Sequence, residues 1–408
     1  MELGNGFKQT EVGIIPNDWD VVDLFELADR KKALFDDGDW IESEHITDEG
    51  IRLIQTGNIG IGSYVEKNLK KYIYTSSFEI LKCKELQIGD LLICRLAEPA
   101  GRSCILPKLE DNRIVTSVDV TIFRPLLNKA NRRFLNQIFA TRRWLENVSE
   151  NSGGTTHKRI SRGRLAKLFI QLPSIIEQDK IASALCDADE LTKSLEKLIE
   201  KKKNIKQGAM QQLLKPKMGW EDKRLGDIVI YKNGKAHENC VVDNGEYVIV
   251  NSKFISTDGN IAKYSNSQLC PVSKNEILMV LSDIPNGKAI AKCFLVEKDN
   301  KYTLNQRICS LKSIKTDPFF LFYLLNRNPY FLSFDDGAKQ TNLRNIDVLN
   351  CPLTIPSNIE EQIMISNILS DMDSEISLLE ERLTKAQLIK QGMMQNLLTG
   401  KIRLVCQK

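Results

Sequence analysis

Between Asn131 and Lys167 the chain carries nine basic residues: Arg132, Arg133, Arg142, Arg143, Lys158, Arg159, Arg162, Arg164 and Lys167. Only Glu146 and Glu150 oppose them along the sequence, a local excess of about +7 in a protein whose net charge is +4. Arginine and lysine grouped beside a flexible GGTTH segment suit contact with phosphates, and short polar side chains on the same loop are the right size to meet base edges. Arg132, Arg133, Thr155, Thr156, His157, Lys158 and Arg159 are therefore candidate nucleic-acid contacts. A solvated helix face is the plainer alternative for these charges. The stretch 315–350 is nearly neutral, with Lys315, Arg327, Lys339 and Arg344 against four aspartates. Its segment Lys339, Gln340, Thr341, Asn342 and Arg344 is still rich in hydrogen-bonding groups.

No catalytic constellation accompanies these segments. The sequence has no phosphate loop of the form GxxxxGK[ST] and no GxGxxG turn; the nearest glycine cluster, GNIGIG at 57–62, has the wrong spacing. It contains neither a GxSxG elbow nor an HExxH helix. Its three histidines, His45, His157 and His237, are scattered, and ten cysteines include no CxxC pair, so a zinc site of ordinary spacing is not expected. With 408 residues, 42% apolar and 27% charged, the chain is long enough for two or three domains of ordinary globular composition. No apolar run reaches the roughly 18 residues of a membrane span, and the N-terminus lacks the pattern of a signal peptide. A soluble, cytoplasmic protein with free thiols, binding no cofactor itself, is expected.

The elements that must position these segments occur twice. Residues 177–217 and 361–401 align without a gap at 18 of 41 positions, and IKQGxMQxLL recurs whole at 205–214 and 389–398. Each copy follows a short apolar run ending at Pro173 or Pro356. Upstream matches are weaker. Trp19 pairs with Trp220, LIQTGNI (53–59) with IVNSKFI (249–255), IGDLLICRL (88–96) with KNEILMVLS (274–282), and Gly101-Arg-Ser with Gly287-Lys-Ala. These parallels add Gln55, Thr56, Asn58 and Arg102 in the first half, and Asn251, Ser252, Lys253 and Lys288 in the second, as candidate contacts. The C-terminal LLTGKIRL stands to the N-terminal segment before Trp19 as LLKPKMGW stands to Trp220, so the repeat reads as circular and pseudo-twofold, with neighbouring termini.

In the second copy Ile365, Leu369, Met372, Ile376, Leu379, Leu383 and Ala386 are spaced 4-3-4-3-4-3, a coiled-coil seam. The first copy follows with Ile181, Leu185, Ala188, Thr192, Leu195, Ile199 and Lys202. Two helices of about 38 residues, roughly 57 Å each, would pack antiparallel through these seams; the alternative is that each seam packs on its own globular unit. Gly208 and Gly392 recur late in the helices, where close helix approach or a docked chain would explain them. Lys197, Lys201, Lys202, Lys203 and Lys206 read as the solvated flank of the coiled coil before a DNA contact. The segments 51–125 and 247–314 show short apolar runs with turn residues between them, the signature of strands. A helical stretch follows each, at 131–148 and 317–334. The fold class is α+β.

These segments together resemble the specificity subunit of type I restriction-modification systems over essentially the whole chain. The resemblance rests on KQTEVGIIPNDW (8–19) with DLFELA (23–28), LIQTGNI, the loop-to-proline-to-EQ passages at 153–178 and 337–362, the paired IKQGxMQxLL helices and the terminal LLTGKIRL. It implies two target recognition domains, 1–176 and 218–360, alternating with two long helices, 177–217 and 361–408, that form an antiparallel coiled coil. It further implies that each recognition domain reads half of a bipartite double-stranded DNA site while the coiled coil sets the spacer. Methyltransferase subunits and a restriction-translocase subunit would be the partners, and would use S-adenosylmethionine, ATP and Mg2+; no membrane is involved. A stand-alone tandem DNA-binding regulator is the second reading, and an enzyme with an unrecognised site the third.

Overall fold

The computed structural model describes residues 6–154, 158–284, 287–337 and 339–404. They divide into two compact units, Met1–Leu195 with Arg382–Lys408, and Glu196–Glu381. The division cuts both long helices, so neither helix stands as a segment apart from the globular parts.

In the first unit a hairpin, Phe7–Thr10 with Gly13–Pro16, leads to strand Asp20–Asp23, which pairs antiparallel with Phe169–Leu172. The core sheet is antiparallel, in the order Phe35–Asp37, Val120–Phe123, Leu91–Cys94, Ser103–Ile105. Leu91–Cys94 and Val120–Phe123 are buried at every position, which explains their unbroken apolar runs: both faces of the sheet are covered. A second sheet places Ile51–Ile54 between Ile114–Thr116, parallel to it, and Lys71–Ile73, antiparallel to it.

The second unit repeats this plan. Trp220–Arg224 pairs with Pro352–Pro356, and the core order is Val229–Asn233, Ile308–Ser313, Ile277–Val280, Cys293–Leu295. Tyr247–Val250 again lies between a parallel neighbour, Tyr302–Leu304, and an antiparallel one, Lys263–Ser265. Each expected helical stretch is broken in two. Thr141 ends the first piece, Arg132–Phe139, by capping Arg142–Glu150 through the Trp144 N–H. In the second unit Pro318–Leu325 stops before Asn328, whose side chain caps Pro329–Leu332.

The long helices run Ile175–Leu213 and Ile359–Leu397, 39 residues each, or about 58 Å. Burial along them follows the expected spacing. Ile181, Leu185, Leu195 and Ile199 are buried in the first, and Ile365, Leu369, Ile376 and Ala386 in the second, with Leu379 and Leu383 half-buried. The leading positions serve the globular cores: Ile181 and Leu185 pack with Phe134 and Trp144, and Ile365 and Leu369 with Phe320 and Phe331. Close approach does not explain the recurrent glycines. A Cβ at Gly208 or Gly392 would meet no atom within 4 Å. No helix among the described residues is long and apolar enough to cross a membrane.

Candidate nucleic-acid interface

A Glu-Gln pair at the head of each long helix holds each unit's frame. In the first unit the Trp19 indole donates to Glu177 (3.1 Å), whose carboxylate also receives Arg403 at 2.8 Å. Arg403 makes two further bonds to Asp18, at 2.8 and 2.7 Å, and holds that carboxyl below its ordinary range. Gln178 is fully buried; its oxygen accepts the Asn131 N–H (2.9 Å) while its amide donates to the Pro173 carbonyl (2.8 Å). In the second unit Trp220 donates to Glu361 (3.3 Å), and Gln362 accepts the Asp317 N–H (3.0 Å) and donates to the Pro356 carbonyl (2.8 Å). The Gln thus fixes the start of the helix that follows the sheets, where Asn131 or Asp317 is already the N-cap. Buried backbone groups need such partners, which is the physical reason for Glu-Gln in both copies.

Three loops of the first unit meet on this frame. Asn58 is buried; its oxygen accepts the Gln55 N–H (3.0 Å) and its amide donates to the Val65 carbonyl (3.0 Å), so it shapes the loop from within. Arg102 donates to four backbone carbonyls, Ile59 (2.7 Å), Thr56 (2.9 Å), Leu96 (2.9 Å) and Pro99 (2.7 Å). The segment around Lys158 is laced onto the same strand end, since Ala97 N–H donates to the Lys158 carbonyl (2.9 Å) and Ile160 N–H to that of Arg95 (3.0 Å). Gln55 and Thr56 are half-buried and Lys158 exposed there. Thr155, Thr156 and His157 lie outside the described residues. Arg132 and Arg133 belong to another junction, with Arg132 bonded to the Gly89 carbonyl (2.7 Å) and Arg133 on the exposed start of the helix.

The charge of this region is smaller than the local sequence implies, because distant aspartates meet it. Arg159 pairs with Asp119 (2.7 Å), Arg162 with Asp36, and Arg142 with Glu146 (2.6 Å). Arg133, Arg143, Lys158, Arg164 and Lys167 are exposed and pair with no carboxylate among the described residues. Asp119 and Asp36 lie far from these arginines in sequence, so no local count could have found them.

In the second unit Asn251 caps Ser252–Ser256 through the Phe254 N–H (2.9 Å), and Lys253 on that turn is exposed. Gln340 donates to the Ser282 hydroxyl (2.7 Å), and Thr341 and Asn342 form a short antiparallel pairing with Asp283 and Ser282. Thr341 is buried and donates to Asp335 (3.0 Å), whereas Asn342 and Lys339 are exposed. Arg344 forms a double bond pair with Asp347, at 2.9 and 2.8 Å. The match of Arg102 to Lys288 needs correcting. Cys94 N–H donates to the Arg102 carbonyl as Val280 N–H donates to that of Lys292, and left-handed residues precede both, Gly101 (φ 87) and Ala291 (φ 53). Lys292 is therefore the counterpart of Arg102; Lys288 is an exposed residue of a longer loop.

The nine described cysteines are unpaired. Burial pushes the Cys104 and Cys309 thiols up to about 12, which keeps them neutral. Among the described residues no three His, Cys, Asp or Glu side chains form a group able to hold a metal.

The two α+β units share one plan, each raising polar loops from a frame anchored on a long helix. The model of the type I restriction modification DNA specificity domain matches residues 16–207 and 217–388, and the chain belongs to that family. It is 26% identical to the type I restriction enzyme MjaVIII specificity subunit of Methanocaldococcus jannaschii, covering 98% of this chain and 96% of that one. The fold is similar to that of the type I restriction-modification system S subunit from M. genitalium, with a TM-score of 0.61, 16% identity, and 97% and 98% of the two chains covered. A chain from work on complex assembly and conformational transition of the type I R-M system aligns with a TM-score of 0.53 at 12% identity, covering 95% of this chain and 99% of that one.

Proposed function

We infer that each unit reads one half of a bipartite, asymmetric site in double-stranded DNA, that the long helices set the distance between the halves, and that methyltransferase and restriction-translocase subunits assemble on this chain. The observation that carries this reading is the pairing of a repeated frame with unlike loops. Glu177-Gln178 and Glu361-Gln362 make corresponding bonds, yet the loops they support differ in charge and in side chains. One frame with two sets of polar loops suits two different half-sites on one duplex.

In the first unit Gln55, Thr56, Lys158 and Arg159, with Thr155, Thr156 and His157 of the neighbouring segment, are the reading residues of this proposal. In the second they are Lys253, Lys288, Lys339, Gln340 and Asn342. A spacer role for the helices is supported by their ion pairs. Lys202 reaches Glu375 (2.6 Å), Lys203 reaches Glu380 (2.7 Å) and Lys206 reaches Asp373. Partner number falls from 380 for Lys203 to 373 for Lys206, the sense of an antiparallel pair. Three of the five lysines in that run thus flank a helix contact.

Docking of other chains is supported by what the helices leave uncovered. Leu191, Leu198 and Ile205 recur every seven residues and are 44%, 38% and 47% exposed, and the space around Gly208 and Gly392 is open. Such a stripe suits a partner helix better than solvent. A stand-alone regulator would have no use for it, and family membership favours the subunit. The chain itself is non-catalytic in this reading, S-adenosylmethionine, ATP and Mg2+ being used by its partners in the cytoplasm.

The test is binding to duplexes carrying the selected site, with footprints over both halves. Lys158→Ala and Arg159→Ala should weaken the first half-site footprint alone, and insertions within 177–214 should lengthen the spacer with both half-sites retained. Intact footprints in the first pair, or an unchanged spacer in the second, contradict the reading.

A further inference from the structure

We propose that Arg102 and Lys292 are positioning residues that set sequence selectivity, each by clamping the reading loop of its own unit; this rests on the DNA-reading role above. Both side chains project from the same place in the core sheet, the residue before strands Ser103–Ile105 and Cys293–Leu295. Both reach the loop that follows the middle strand of the second sheet. Arg102 does so through the Thr56 and Ile59 carbonyls, and Lys292 through the Ser256 carbonyl (3.2 Å) and the Asp258 carboxylate (2.8 Å).

In the first unit the clamp has a second jaw. The Leu96 carbonyl that Arg102 also holds belongs to the residue bridged with Arg159. One guanidinium therefore fixes the segment of Gln55 and Thr56 relative to that of Lys158 and Arg159. Four of the five guanidinium donors are engaged by carbonyls, so the two free donors of a bidentate guanine contact are not available. This is why Arg102, a candidate contact on sequence grounds, is assigned a positioning role. Lysine cannot reproduce the fork: it keeps the charge but lacks the planar array of donors.

The experiment uses the full chain assembled with its methyltransferase subunits and a pool of duplexes with randomised positions, selected by binding and sequenced. Arg102→Lys is expected to flatten base preference in one half-site by about tenfold, with the other half-site, the spacer and the salt dependence unchanged. Lys292→Gln should flatten the opposite half-site by a smaller factor. Selected sequences identical to wild type in both variants overturn the proposal. So does a uniform loss of affinity in both with a shallower salt dependence, which marks phosphate contacts. The variants lie in separate units, so poor folding of one leaves the other decisive. If the wild-type assembly enriches no two-part motif, the DNA-reading role itself fails and the clamp with it; a wild-type motif that the variants leave intact removes the clamp alone.

Discussion

The two units share a frame and differ in how it is closed. In the first, Glu177 is buried and bonded to Arg403 from the opposite end of the chain, which also grips Asp18 and lies 5.7 Å from the Trp19 ring centre. In the second, Glu361 is half-buried and its cation is Lys217, 3.8 Å away and 5.9 Å from the ring centre of Trp220. The aromatic, the carboxylate and the cation recur, but one joint is sealed by the C-terminal segment and the other by the linker after the first long helix. Shared geometry therefore marks what the fold requires, and the divergent loops mark what each unit adds to it.

The largest expected effect separates the two joints. Glu177→Ala strips the buried Trp19 indole N–H of its acceptor and Arg403 of its buried partner, and should lower the stability of the first unit by about 3 kcal/mol, whereas Glu361→Ala, at a half-buried carboxylate paired with a half-exposed lysine, should cost under about 1 kcal/mol. Hydrogen exchange resolved by unit reads both; equal losses would mean that the joints are equivalent. Next come the buried glutamines. Gln178→Ala and Gln362→Ala each strip partners from a helix N–H and a proline carbonyl, and should cost about 2 kcal/mol apiece. Here the comparison predicts equality, and a large difference would break the shared frame.

A smaller effect separates the loops. Lys158→Ala should reduce the slope of log affinity against log salt by about 1, while Asn342→Ala leaves that slope alone and relaxes base preference in the other half-site. The smallest concerns Asp18. Arg403 depresses its carboxyl below the ordinary 3.8, so its stabilisation is present above that value and fades as pH falls through the lowered one. Thermal unfolding of Asp18→Asn should lie slightly below wild type near neutrality and converge with it in acid. A constant gap across pH would separate the effect from this titration.

Much of this architecture was legible in the residues. The seam spacing anticipates the burial of Ile181, Leu185, Leu195 and Ile199 and of their counterparts in the second helix, because helical periodicity is local. The apolar runs at 91–94 and 277–280 anticipate strands, because a short apolar run bounded by turn residues is likewise a local signal. The site was less legible. Asp119 and Asp36 reach the basic cluster only through folding, and Asn58 and Thr341, chosen for hydrogen-bonding capacity, are turned inward to satisfy backbone and a neighbouring carboxylate. The pairing of Arg102 with Lys288 failed because the second unit's loop is four residues longer, which only the strand register reveals. The Glu-Gln pairs were visible as a repeat, but apart from the proline contacts their bonds join residues more than 40 positions apart.

The central claim is that two separate readers share one chain, and methylated-base sequencing of DNA from cells expressing it with its modification subunits tests that most directly. The account predicts methylation at an asymmetric motif of two specified halves separated by a fixed unspecified spacer. It also predicts that exchanging residues 218–360 for those of a relative changes one half and leaves the other. A single uninterrupted motif, or an exchange that alters both halves together, would contradict it.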